Sequence, residues 1–199
     1  MIKIAVTGNF GSGKTIVCKL FSVLGYPVFN ADYEAKKILF SYESKPLLKQ
    51  QFGKSVFNEN NLIDTISLAN IVFKNPEKLI LLNEIIHPRL FDNFNNWVDV
   101  RKQFKFCIME SAIIFEHGYQ ILFDKTILVK SSVEMQKQRV LKRDNISLEE
   151  FQNRLNNQLS EEEKEKLADF VILNDESKSL IVQVLEVLNT LLDTEINTA

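Results

Sequence analysis

Eight residues near the start of the chain, Gly8-Asn9-Phe10-Gly11-Ser12-Gly13-Lys14-Thr15, have the types and the spacing needed to hold a row of phosphates. Glycines let the backbone curl so that its N–H groups line a concave nest, set at the positive end of the helix that follows. Asn9, Phe10, Gly11, Ser12, Gly13, Lys14, Thr15 and Ile16 are therefore the candidate nucleotide contacts. The Lys14 ammonium is placed to reach β and γ phosphates, and the Thr15 hydroxyl is a candidate ligand of Mg²⁺.

A phosphate loop alone does not separate a kinase from a GTPase or a motor ATPase. The metal-binding D-x-x-G and guanine-reading N-K-x-D patterns of GTPases are absent from the sequence. Arg139 and Arg143 stand four apart on one predicted helix face, ahead of a highly charged stretch that carries Arg154 and Gln158. Phosphoryl transfer spreads negative charge over the moving group, which guanidinium groups on a closing lid can neutralise. A solvated helix face is the alternative for the same two arginines. Asp32 is the candidate base for an attacking hydroxyl, or else the cap of the helix it begins. Glu110 either orders Mg²⁺ or pairs with a lysine. His87, in His87-Pro88, is structural by pattern alone, and His117 beside Gly118 reads as a turn residue.

The elements that must position these groups follow from hydrophobic pattern. Ile2 to Thr7 is a strand, Ile16 to Leu24 a helix, and Val28-Phe29 a short strand after the stop at Gly25-Tyr26-Pro27. So tight a strand, helix, strand order predicts a parallel βαβ unit with a right-handed crossover. Ligands of parallel sheets sit beyond the carboxyl ends of the strands, which places Asp32 on the edge of the phosphate loop. Residues 33–103 read as an inserted helical region with breaks at Lys45-Pro46, Phe52-Gly53, Asn75-Pro76 and His87-Pro88. Phe104 to Met109 is a strand ending at Glu110, and Lys125 to Val129 another, with Ser131-Ser132 as a possible cap for the helix Val133 to Arg143. Ser147-Leu148-Glu149-Glu150 and Ser160-Glu161-Glu162-Glu163 are capping boxes of two short exposed helices, a candidate lid over 144–168. Asp169 to Leu173 is the last strand, and Ser177 to Leu192 the final helix.

The fold class expected is α/β: a five-stranded parallel sheet flanked by helices, with a helical insertion and a helical lid. The core comprises 1–32, 104–143 and 169–192. At 199 residues, 45% hydrophobic and 25% charged, the chain suits one globular core with an elaboration. A net charge of −2 argues against a nucleic-acid surface. Cys18 and Cys107 read as free buried thiols, no apolar run approaches a membrane span, and no targeting segment precedes the first strand, so the expected location is the cytoplasm. Disorder is expected only over 194–199.

The chain also resembles the dephospho-CoA kinase family, within the P-loop nucleoside-monophosphate-kinase-like group, from residue 1 to about 190. The resemblance rests on Thr7 to Thr15, Leu24-Gly25, Asn30-Ala31-Asp32, Phe52-Gly53, Phe73 to Pro76, His87-Pro88 and Ala112 to Glu116, in that order. It continues with Gln136-x-x-Arg139-x-x-x-Arg143-Asp144, Arg154-x-x-x-Gln158 and Ala168 to Asn174. It implies ATP-dependent phosphorylation of the 3′-hydroxyl of dephospho-CoA, with Asp32 as base, Lys14 and the loop amides on ATP, and Arg139 and Arg143 on the transferring group. It implies further that His87 belongs to the acceptor site and that Asn174 lies near adenine. Asn30, Ala112 and Glu176 depart from the family's common Asp, Pro and Gly. A kinase for a nucleoside or nucleotide, or a nucleotide-binding regulator without catalysis, stays open beside this reading, as does the oligomeric state.

Overall fold

The protein was analysed as a computed structural model that describes residues 1–72, 74–144 and 146–196. Phe73, which begins one of the family-like segments, and Asn145, in the candidate lid, lie outside the described residues, as do 197–199. Two compact units are present, one of Met1–Phe29 with Lys102 onward and one of Asn30–Arg101.

The first unit is built on five parallel strands in the order β2-β3-β1-β4-β5: β1 (Ile2–Thr7), β2 (Val28–Asn30), β3 (Phe106–Glu110), β4 (Lys125–Lys130) and β5 (Phe170–Leu173). β3 is buried at every residue and is an unbroken apolar run up to Glu110, the pattern of a strand covered on both faces. Register decides where the chemistry collects. Val6 pairs with Glu110, Thr7 with Leu128, and Lys130 with Leu173. The phosphate loop, Glu110, Ser131 and Asn174 thus all leave the sheet at one edge, beyond the strands' carboxyl ends. On one face Val17, Cys18 and Phe21 of α1 (Lys14–Val23) pack with Ile4, Ile108 and Ile127, and Val184, Val187, Leu188 and Leu191 join them. Those four lie on the last helix, which runs Leu180–Ile196.

The second unit contains α2 (Ala31–Leu39), α3 (Ser44–Phe52), α4 (Thr65–Val72) and α5 (Pro76–Asp99), with α2, α3 and α4 each packed on α5. Two expected breaks are not breaks. Pro46 lies inside the first turn of α3, where a missing N–H costs no helical bond. α5 continues through Pro88, and the Arg89 guanidinium donates to the Ile85 carbonyl (3.0 Å) at the turn where proline interrupts the ladder. Burial of Ile85, Ile86, Leu90, Phe94 and Val98 outweighs the local penalty. Asn75 and Pro76 start the helix as expected, the Asn75 Oδ1 accepting from Glu77 and Lys78 N–H.

Candidate functional site

The phosphate loop is shaped by glycines that nothing else can replace. Gly11 (φ +86°) and Gly13 (φ +97°) occupy the left-handed region. A Cβ on Gly11 would come within 2.7 Å of the Gln136 carbonyl, and one on Gly13 would overlap the Asn174 amide. The loop is therefore wedged between α6 (Val133–Asp144) and the end of β5. The Lys14 ammonium donates to the carbonyls of Gly8 (2.9 Å) and Asn9 (3.2 Å). Asn9 Oδ1 and Ser12 Oγ are buried without a hydrogen-bond partner among the described residues. An unpartnered buried hydroxyl, that of Ser12, which can donate, fits an anionic ligand at a helix N-terminus beside a glycine cradle. Ile16, the last of the expected contacts, is exposed on the first turn of α1.

Thr15 and Glu110, the two candidate metal ligands, are brought together: the Thr15 hydroxyl donates to Glu110 Oε1 at 2.6 Å. Among the described residues no cluster of three or more His, Cys, Asp or Glu could hold a metal. A hydroxyl and one carboxylate suit Mg²⁺, which is commonly completed by water and substrate phosphates. Burial pushes the Cys18 thiol up, Glu110 adds to the rise and Lys14 opposes it. Cys107 is likewise raised, to about 11, by burial.

The arginines and Asn174 occupy positions that spacing alone does not reveal. Arg139 donates to Ser131 Oγ (3.0 Å) and to the Asn174 carbonyl (2.9 Å). Asn174 Nδ2 donates to the Ser12 carbonyl (2.7 Å), and its N–H to the Lys130 carbonyl (2.7 Å). Arg139 and Asn174 thus brace the phosphate loop against β4 and β5. Arg143 is exposed and forks onto Asp144, both bonds 2.7 Å, which holds the Asp144 carboxyl below its usual range. Its guanidinium stands 5.8 Å from the Phe10 ring centre, and that of Arg154 stands 4.9 Å away. Glu176, in place of glycine, takes a left-handed φ of 69°, so the glycine-type turn persists with a strained residue.

Asp32 and His87 lie in the helical unit. Asp32 is exposed in the first turn of α2, two residues past β2. It is not the cap of that helix: Asn30 is, accepting the Tyr33 N–H at 2.8 Å. The Asn30 departure is physically conservative, since Asn and Asp cap equally well. His87 is buried on α5, at 8% exposure. His117 precedes Gly118, which has φ +68°, as a turn residue would.

The pattern reading left several residues without a role. Gln158 accepts the Phe10 N–H (2.8 Å) and donates to the Ala112 carbonyl (3.1 Å). A cavity of about 570 Å³, lined by Asn9, Ser131, Gln158 and Glu161 among others, opens beside it. The stretch expected to be a lid holds α7 (Leu148–Asn156) and α8 (Glu161–Leu167), both with complete capping boxes. α8 is exposed as expected at five of its seven residues, but Glu161 and Lys164 turn inward. Lys164 is wholly buried and pairs with Glu116 at 2.6 Å, while Glu161 accepts from Gln136 and the Ser131 N–H. Burial lowers the Lys164 ammonium and raises the Glu161 carboxyl, each opposed by its partners. Within a charged run, nothing in residue type marks the one lysine that turns inward. Glu116→Gln leaves that ammonium buried opposite a neutral amide, a loss of about 3 kcal/mol. Calorimetry is expected to show a melting temperature lower by ~10 °C; an unchanged value would mean that Lys164 finds water or another counter-charge.

Comparison with known proteins extends this geometry. The dephospho-CoA kinase family model matches residues 2–179. A dephospho-CoA kinase of Bacteroides fragilis is 37% identical over 191 residues, covering 94% of this chain and 91% of the relative. A crystal structure from Thermus thermophilus superposes with a TM-score of 0.86 at 31% identity, covering 95% of this chain and 96% of its own. A dephospho-CoA kinase from Campylobacter jejuni gives 0.60 at 27%, covering 94% and 96%. No helix among the described residues is long and apolar enough to cross a membrane. The phosphate loop and the whole helical unit fall inside one match, and the chain belongs to the dephospho-CoA kinase family.

Proposed function

We propose that this member of the family carries out its reaction with Lys14 and the loop amides on the donor phosphates and Asp32 as the base. ATP is the phosphoryl donor, dephospho-CoA the acceptor and coenzyme A the product, in the last step of its formation. Asp32 takes the proton of the ribose 3′-hydroxyl as that oxygen bonds to the γ phosphorus and the bond to the β–γ bridging oxygen breaks, releasing ADP. Thr15 and Glu110 would hold Mg²⁺, which when bound neutralises charge on the phosphates. Arg143, exposed at the end of α6, supplies a guanidinium for the transferring group once it leaves Asp144; Arg139 keeps the loop in shape while its remaining donors serve the same charge. His87 is assigned to the acceptor side, in the helical unit over about 33–103, and the stretch 144–168 to the lid. Asn174 is assigned to the adenine end of ATP. A cytoplasmic location is part of this reading and is supported by two buried free cysteines.

The observation that carries the assignment is the family match, which includes both Lys14 and Asp32. Incubating the purified protein with ATP, Mg²⁺ and dephospho-CoA tests it, with a panel of nucleosides and nucleoside monophosphates offered alongside. Coenzyme A is the expected product. Turnover confined to another acceptor would overturn the reading, and ATP binding without any turnover would make the chain a regulator.

A further inference from the structure

We propose that Gln158 is a positioning residue for ATP, tying the tip of the phosphate loop to the carboxyl end of β3. Its two bonds need a side chain that both accepts and donates, because one partner is an N–H and the other a carbonyl oxygen, and an amide does so at every pH. Its carbonyl accepts from Phe10, in the loop, at 2.8 Å; its NH₂ donates at 3.1 Å to Ala112, two residues beyond Glu110. One side chain therefore spans the two flanks of the Thr15–Glu110 pair. The backbone that carries this side chain is held on both sides. Gln158 N–H closes the end of α7 on the Leu155 carbonyl (3.0 Å), and Leu159 N–H donates to Glu116 Oε1 (3.2 Å). Glu116 is fixed in turn by buried Lys164. The Phe10 ring also meets α7, at 6.5 Å from Phe151 and 4.9 Å from the Arg154 guanidinium. Backbone and ring of the loop's tip are thus both set by α7 and the linker that follows it.

Gln158→Leu removes both bonds and is expected to weaken ATP binding and raise the KM for ATP by ~10-fold, water making good part of the loss. The KM for dephospho-CoA is expected to stay within about twofold. Gln158→Glu separates positioning from folding. Its carboxylate can still accept from Phe10 but has no proton for Ala112; its neutral acid form supplies both bonds. Facing a carbonyl oxygen favours that acid form and raises its pKa. The ratio of variant to native kcat/KM for ATP should therefore climb by at least ~3-fold as pH falls from about 8.5 to 5.5, while the Gln158→Leu ratio stays flat.

The inference rests on the proposed use of ATP, so equilibrium ATP binding by calorimetry is measured on the same proteins across the same pH range. A native protein inactive toward dephospho-CoA overturns that reaction, and the binding titration still decides Gln158. If Gln158→Leu does not fold, the pH ratio of Gln158→Glu decides alone. A flat ratio in both kinetics and binding, or ATP affinity within twofold of native in both variants, would overturn the role.

Discussion

Replacing Lys14 by alanine is expected to lower kcat/KM for ATP by ~10³-fold, the loss seen when one preorganised donor to developing negative charge is removed. The ammonium sits at the start of α1 and spans the Gly8 and Asn9 carbonyls, so it closes the loop; in the proposed reaction it also serves the phosphates. The loop keeps its other supports in the variant, since Asn174 holds the Ser12 carbonyl and Gln158 the Phe10 N–H. A large kinetic loss with a small change in melting temperature is therefore the expected pair of results. Steady-state kinetics with calorimetric ATP binding checks it; native ATP affinity and rate would contradict the cradle.

Asp32→Ala is expected to lower kcat by ~10² or more while ATP still binds, as when a general base is lost. The capping arrangement sharpens this prediction. With Asn30 and not Asp32 accepting the Tyr33 N–H, the cap of α2 stays in place when the carboxylate is removed. A rate collapse cannot then be assigned to loss of that cap; a melting temperature measured on the same variant separates it from any loss of fold. Turnover within a few-fold of native would remove Asp32 from the reaction.

What the sequence disclosed and what it concealed divide along physical lines. The five strands were legible because each is a short apolar run closed by turn residues, and Glu110 was legible because an acid ends a buried strand. Its bond to Thr15 was not, since it depends on β1 and β3 pairing in a register that sets Val6 beside Glu110. Arg139 was read as a phosphate contact from its type and spacing, and Asn174 as near adenine from the family resemblance; neither showed that the pairing of Lys130 with Leu173 sets the two against one another and against the loop. At His87-Pro88 a local rule about proline was overridden by the buried face of α5. Lys164 lay hidden in a run of glutamates and lysines whose composition describes a solvated helix, though its side chain is closed off from water. Capping boxes at Ser147 and Ser160, by contrast, need only four consecutive residues, and both formed.

The most direct measurement identifies the phosphorylated product and its position. The purified protein is given ATP and Mg²⁺ with dephospho-CoA and, in parallel, with the analogue lacking the ribose 3′-hydroxyl; products are resolved by mass spectrometry and ³¹P NMR. One new phosphomonoester at the 3′ position, forming coenzyme A from dephospho-CoA and nothing from the analogue, is the result predicted. Equal phosphorylation of the analogue, or unchanged dephospho-CoA while a nucleoside or nucleotide is turned over, would contradict it.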